Sequence, residues 1–194
     1  MLAKQKLHVG FSALALLIVS AIPASASTSA TATYAATLNP DSTYTYQLLL
    51  KNTGTTSLKT FWFSWIPYAS FLPSVPTSLS SPANWSGQID EDYYGNSILW
   101  DTTGAGLAPG ASLTGFSFTT PDSPDVLAGL DDYYDAYPVT YAYVYSGSVT
   151  TPNDPLPPQF GLLTAVPGAV PEPATATLLL TAGAVSLATR RRRA

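Results

Sequence analysis

The sequence predicts an all-β fold, an antiparallel β-sandwich, and three observations lead to this prediction. Apolar and polar residues alternate with a period of two in several short runs, as in strands that bury one face. Glycine, asparagine and proline separate these runs at short intervals, as turn residues do. No segment of the central chain has the period of an amphipathic helix. This pattern favours an immunoglobulin-like Greek key, with a jelly roll as the alternative.

The alternation predicts about eight strands in a domain that covers residues 27–164. In one of these strands, Tyr46, Leu48 and Leu50 share a face. Pro67 ends another run, because proline has no N–H to donate to a strand ladder. The predicted strands are residues 33–38, 44–51, 61–65, 85–89, 97–101, 113–119, 139–145 and 160–164.

The composition excludes several kinds of site. The chain has 194 residues, of which 46% are hydrophobic and 10% are charged. It has no cysteine, and its single histidine, His8, precedes the predicted domain, so that domain has no disulfide, thiolate metal site or Ser-His-Asp triad. Between Ala26 and Pro171 there are two lysines and eleven acidic residues. Binding to nucleic-acid phosphates requires clustered basic residues, so nucleic acid is not an expected partner.

The N-terminal segment has the features of a secretory signal peptide at residues 1–26. Lys4 and Lys6 form its positive region, an apolar stretch follows, and Ala24 and Ala26 form a small-x-small cleavage site. The apolar stretch is short for a membrane span of about 20 residues. We therefore expect cleavage after Ala26 and export of the mature chain.

The C-terminal segment, residues 171–194, has three parts in a set order. A short proline motif comes first, an uncharged and mostly apolar stretch follows at residues 174–189, and a basic cluster closes the segment. As a helix the apolar stretch would be about 24 Å long, short of a bilayer core of about 30 Å. The basic cluster would stay on the cytoplasmic side of the membrane. The motif residues are Pro171, Glu172, Pro173, Arg190, Arg191, Arg192 and Arg193.

This order resembles the PEP-CTERM sorting signal of exported proteins in Gram-negative bacteria that make exopolysaccharide. The resemblance implies a transient inner-membrane anchor and processing by an exosortase-type membrane peptidase. It places the mature protein at the cell surface or in the extracellular matrix. Residues 165–170 are expected to be a flexible linker to the tail. A plain C-terminal membrane anchor is the alternative.

Acidic residues gather in two loops of the predicted domain, and two kinds of chemistry fit them. Paired carboxylates could serve glycoside hydrolysis, although a domain of this size has little material for a deep cleft. Oxygen ligands are what calcium prefers. The candidate calcium ligands are Asp90, Asp92, Asp131 and Asp132. A solvated acidic loop explains the same residues, and the sequence requires no cofactor.

Aromatic residues offer a third kind of site, because wide flat rings suit the face of a sugar. Tyr93 and Tyr94 directly follow one acidic run, and Tyr133 and Tyr134 follow the other. These four tyrosines are the candidate carbohydrate contacts. A stripe formed by Tyr141, Tyr143 and Tyr145 on one strand face is a further candidate, whereas core packing explains most of the four tryptophans.

We therefore predict a secreted or surface-sorted protein without catalytic activity, with a structural or adhesive role in the exopolysaccharide or biofilm matrix. Its partners would be the exosortase-type peptidase and the exopolysaccharide. The alternative is a small carbohydrate-active enzyme, or a carbohydrate-binding module, that uses the acidic and aromatic loops.

Overall fold

A computed structural model describes residues 26–131, 136–148 and 160–169. Two five-stranded sheets dominate these residues. Sheet 1 contains β1 (Ala30–Leu38), β2 (Tyr44–Asn52), β6 (Ser78–Ser80), β9 (Ser112–Thr120) and β12 (Val166–Pro167). Sheet 2 contains β3 (Thr60–Phe63), β7 (Ser86–Glu91), β8 (Asn96–Asp101), β10 (Tyr141–Tyr145) and β11 (Phe160–Thr164). A hairpin of β4 (Trp65–Ile66) and β5 (Ala69–Ser70) and one helical turn, α1 (Pro124–Leu127), complete the fold.

The two sheets form a β-sandwich, which confirms the predicted fold class. Sheet 1 has the order β12-β1-β2-β9-β6 and sheet 2 the order β11-β10-β3-β8-β7. All neighbours are antiparallel except β1 and β12, which run parallel. Without β7, β8 and β12, the order is that of a constant-type immunoglobulin sandwich. The pair β7–β8 is a hairpin added beside β3.

Alternate residues of the strands fill the space between the sheets. Tyr46 and Phe118 stack with ring centroids 5.0 Å apart, and both belong to sheet 1. Phe61 and Trp100 stack at 5.6 Å on the facing side of sheet 2. Phe116 of sheet 1 packs edge-on against Phe61 at 5.5 Å and so joins the two layers. This core carries most of the apolar burial that stabilises the domain.

A buried asparagine closes one end of the sandwich, which we call the Asn52 end. The Asn52 side chain donates to the carbonyl oxygens of Thr56 and Leu107, both at 2.8 Å, and accepts from the N–H of Gly54 at 2.9 Å. The opposite end, where β1 finishes at Leu38, we call the Leu38 end. Asn52 thus satisfies three backbone groups where two loops meet the sheet.

Replacing Asn52 by alanine is expected to lower the free energy of unfolding by about 2 to 4 kcal/mol, because backbone groups in a buried site lose their partner. Urea unfolding of the two proteins measures the difference. Asn39→Ala is the matched control, since the Asn39 amide bonds only to the Thr43 and Thr45 hydroxyls in a partly exposed turn. An Asn52→Ala cost no larger than that of the control would contradict the role given to Asn52.

The boundaries of the C-terminal linker and of the first strand differ from those predicted. Residues 165–168 are not a linker: Ala165 is buried, its N–H donates to Thr140, and β12 pairs with β1. This pairing joins distant parts of the chain, so local sequence carries no sign of it. The first strand begins at Ala30 rather than at residue 33, because its small residues pair with β2.

Candidate functional site

The outer face of sheet 2 carries a second hydrophobic cluster, separate from the core. Trp62 of β3 points away from the core, and Trp65 of β4 stacks on it with ring centroids 3.8 Å apart and planes 8° apart. The Trp62 indole N–H donates to the Ser97 hydroxyl at 3.0 Å, and the Ser70 hydroxyl donates to the same oxygen at 3.1 Å. These contacts fix the β4–β5 hairpin on the outer face.

The tip of this hairpin presents a tyrosine in a strained conformation. Pro67 and Tyr68 form the turn, and Tyr68 has a φ of 79°. Proline followed by a positive φ is the pattern of a type II turn, in which glycine normally takes the second place. A bulky residue there costs free energy, and such outliers concentrate at functional sites. The Tyr68 side chain is 90% exposed, so its burial in the fold does not offset that cost.

Beside the hairpin, the edge of sheet 2 exposes further rings. Tyr143 of β10 stacks on Phe160 of β11 with centroids 5.6 Å apart, and it packs edge-on against Trp65 at 5.7 Å. Phe160 is 53% exposed, and Leu162, which pairs with Tyr143, is also exposed. Tyr141 lies on the same face of β10. We call Tyr68, Tyr141, Tyr143, Phe160 and Leu162 the aromatic face.

The hydroxyl of Tyr143 stays protonated at neutral pH. Burial, with smaller contributions from Tyr141 and Tyr137, raises its pKa above the ordinary tyrosine value. A neutral phenol both donates and accepts hydrogen bonds. The aromatic face therefore combines flat apolar area with neutral polar groups and has no charged member.

Two of the tyrosines predicted from sequence lie elsewhere, on the tip of the β7–β8 hairpin. Tyr93 is 88% exposed, and its ring packs edge-on against Tyr94 at 5.4 Å. The Asp92 carboxylate accepts the N–H groups of Tyr94 and Gly95 at 2.6 and 3.1 Å, which fixes the turn. The other two predicted tyrosines, Tyr133 and Tyr134, lie outside the described residues.

Two of the four acidic residues predicted as calcium ligands, Asp92 and Asp131, have structural partners. Besides Asp92, the buried Asp131 carboxylate accepts the N–H of Tyr137 at 2.9 Å. Within residues 26–131, 136–148 and 160–169, no group of three or more His, Asp or Glu residues lies close enough to hold a metal. Asp132 falls outside these ranges. Calcium binding by Asp90, Asp92, Asp131 and Asp132 stays a prediction.

Two carboxyl groups on the outer face have raised pKa values. Burial raises the pKa of Asp90, with smaller contributions from Asp92 and Glu91, and burial raises that of Asp101. Asp90 pairs with Ser97, which is four residues from Asp101 along β8. Their Cα atoms are thus about 14 Å apart. The carboxyl groups of glycoside hydrolase pairs are about 5 to 10 Å apart, a shorter separation than that of these two Cα atoms.

The raised pKa of Asp90 predicts that its ionisation lowers the stability of the fold. A carboxyl whose pKa is higher in the fold than in the unfolded chain destabilises the fold as pH rises through that interval. Asp90→Asn is therefore expected to have a higher melting temperature than the native protein at pH 7 and an equal one at pH 3. Thermal unfolding at the two pH values measures this. A difference that persists at pH 3 would show that the charge of Asp90 is not the cause.

Sequence reasoning identified part of this site. The tyrosine stripe of β10 follows from its alternation. Core packing was predicted to explain most tryptophans, and three are buried, but Trp100 lies in the core between the sheets whereas Trp62 and Trp65 form the outer cluster. Tyr68 was missed. Its only signal is the preceding proline, which suits the first corner of a turn.

In the C-terminal segment, residues 169–193 match the PEP-CTERM protein-sorting motif. This chain carries a PEP-CTERM sorting motif. The match confirms the family resemblance found in the sequence and marks the chain as an exported, exosortase-sorted protein. Among the described residues, no helix is long and apolar enough to cross a membrane, and the predicted span at residues 174–189 falls outside them.

The domain is similar in sequence to segments of two larger proteins. It is 35% identical over 115 residues to chitinase C of Streptomyces lividans and 33% identical over 115 residues to chitinase 63 of Streptomyces plicatus. Each alignment covers 57% of this chain but 17% of the chitinase. The similarity therefore concerns a small part of each relative.

Two solved structures show weaker similarity. The chitin-binding domain of Chi18aC from Streptomyces coelicolor is 30% identical, with a TM-score of 0.32, over 47% of this chain and 78% of that one. The GH20 exo-β-N-acetylglucosaminidase of Vibrio harveyi is 16% identical, with a TM-score of 0.40, over 73% of this chain and 19% of that one.

Proposed function

We propose that the β-sandwich is a non-catalytic module that binds a neutral β-linked polysaccharide, with chitin as the first candidate. The observation that carries the proposal is the aromatic face. Tyr68 and Phe160 are exposed, Tyr141 and Tyr143 are half-buried, and Trp65 of the stacked pair Trp62–Trp65 supports Tyr143 through an edge-on contact. An exposed apolar patch with polar neighbours is typical of a ligand surface.

The geometry of the face suits a sugar chain. Stacked rings at Tyr143 and Phe160 offer wide apolar area, and Tyr68 adds a ring at the hairpin tip. Because no member of the face is charged, a neutral polysaccharide is favoured over an acidic one. Tyr93 and Tyr94 are a second aromatic pair that a long chain could contact.

The sequence relatives support a binding role without catalysis. The domain aligns with only 17% of chitinase C, a share that suits an accessory domain better than a whole enzyme. We place this module, after exosortase processing and a transient anchor at the inner membrane, at the surface or in the extracellular matrix of a Gram-negative cell. There it would act as a structural or adhesive protein of the exopolysaccharide or biofilm.

Tyr68 provides a test that separates binding from folding. Tyr68→Ala and Tyr68→Gly both remove the ring, so both are expected to weaken binding to chitin by about tenfold. Only glycine relieves the positive φ, so Tyr68→Gly is expected to be about 1 kcal/mol more stable than Tyr68→Ala. Depletion assays on chitin and urea unfolding measure the two effects. Native affinity in both variants would contradict the proposed site.

A further inference from the structure

A cleft of about 500 Å³ opens at the Asn52 end of the sandwich. It lies between the residues that precede β7, the loop that follows β8 and the start of β9. Trp85 forms one wall. Its indole is only partly buried and packs edge-on against Phe116 of the core with centroids 5.3 Å apart. The core thus holds a flat ring in place at a cleft open to solvent.

Hydrogen bonds connect the two walls of the cleft. The Thr102 hydroxyl donates to the carbonyl oxygen of Asn84, which precedes Trp85, and it accepts the N–H of Gly104 at 3.1 Å. Gly106, in the opposite wall, has a φ of 75°, and a Cβ there would lie 2.3 Å from the Leu58 carbonyl oxygen. Glycine is therefore required at this turn, which fixes the path of the loop that forms this wall.

The chemistry of the lining points to a neutral ligand. Among the described residues that line the cleft, none is charged, and the polar groups come from Asn84, Thr102 and Thr103. The apolar wall comes from Trp85 and Leu113. A mixed cleft of this volume is typical of small-molecule sites. One aromatic ring beside amide and hydroxyl groups matches a pyranose ring, which has an apolar face and a polar rim.

We propose that this cleft is a second saccharide site, which takes one to three sugar rings and stacks one of them on Trp85. It shares no residue with the aromatic face, so it goes beyond the function proposed above and does not depend on it.

The last strand of the domain runs away from the cleft. β12 runs parallel to β1, toward the Leu38 end, and the sorting motif follows at residues 169–193. The cleft lies at the other end of the domain. With the aromatic face and the cleft both occupied, one molecule would connect two polysaccharide chains.

Tryptophan fluorescence reads this site selectively, because Trp85 is the one tryptophan that is not buried. Addition of N,N′,N″-triacetylchitotriose to the exported protein is expected to shift the emission to shorter wavelength and to reduce quenching by acrylamide. The shift is expected to disappear in Trp85→Phe, which keeps a ring against the core. An absent shift, or a shift that persists in Trp85→Phe, would overturn the proposal.

Calorimetric titration with the same trisaccharide tests the cleft without touching the indole. Ala105→Glu fills and charges the cleft and is expected to weaken binding about tenfold or more. Ala108→Glu, an exposed residue just outside the lining, is the matched control and is expected to bind as the native protein does. Loss of binding in Phe160→Ala without loss in Ala105→Glu would place the trisaccharide on the aromatic face and overturn the proposal. Equal losses in Ala105→Glu and Ala108→Glu would overturn the proposal.

Discussion

Replacing Trp62 by alanine is expected to lower the free energy of unfolding by about 3 to 5 kcal/mol, the usual cost of truncating a buried tryptophan. Trp62 is completely buried although it lies on the outer face of sheet 2, because Trp65 stacks on it. The substitution also removes the indole donor to Ser97. Chemical denaturation monitored by circular dichroism measures the loss.

Tyr93→Ala is the matched control, since Tyr93 is an exposed aromatic residue on the same sheet. Its stability is expected to stay within about 0.5 kcal/mol of the native protein. If Trp62→Ala were no more destabilising than Tyr93→Ala, the β4–β5 hairpin would not be anchored on the outer face as described.

Phe160→Ala is expected to weaken binding to chitin by about tenfold or more, with little change in stability. The Phe160 ring is half exposed and stacks on Tyr143, so its loss removes contact area from the aromatic face rather than from the core. Stacking and burial of one ring contribute more than about 1 kcal/mol, and 1.4 kcal/mol corresponds to a factor of ten. Depletion isotherms on crystalline chitin measure the change.

Leu38→Ala is the control for this experiment, because Leu38 is 62% exposed and belongs to sheet 1. It is expected to bind like the native protein. Equal affinity of all three proteins would contradict a site on sheet 2. Cleavage of chitin by the native protein would contradict the proposed absence of catalysis.

The sandwich could be predicted from the sequence because period-two alternation records burial directly. Tyr46, Leu48 and Leu50 were assigned to one face, and all three are buried in the core. The same alternation places Trp62 on the other face of β3 from Phe61 and Phe63. It does not show that Trp62 is buried there, because the hairpin that covers Trp62 consists of two strands of only two residues each.

Other features depend on contacts between distant parts of the chain. The choice between an immunoglobulin-like order and a jelly roll rests on the pairing of β9 with β2 and β6, which no local pattern records. The cleft beside Trp85 forms where two loops meet, and the strain at Tyr68 appears only in its backbone angle. Sequence therefore predicted the layers of the fold better than the surfaces they present.

Hydroxyl-radical footprinting of the exported protein, free and bound to crystalline chitin, tests the central claim most directly. Mass spectrometry of the peptides reads the oxidation of each exposed side chain. Protection of Tyr68, Tyr143 and Phe160 is expected on binding, with Leu38 on sheet 1 oxidised equally in both states. Protection of Leu38 without protection of Tyr68 and Phe160 would contradict the assignment of the binding surface to the aromatic face.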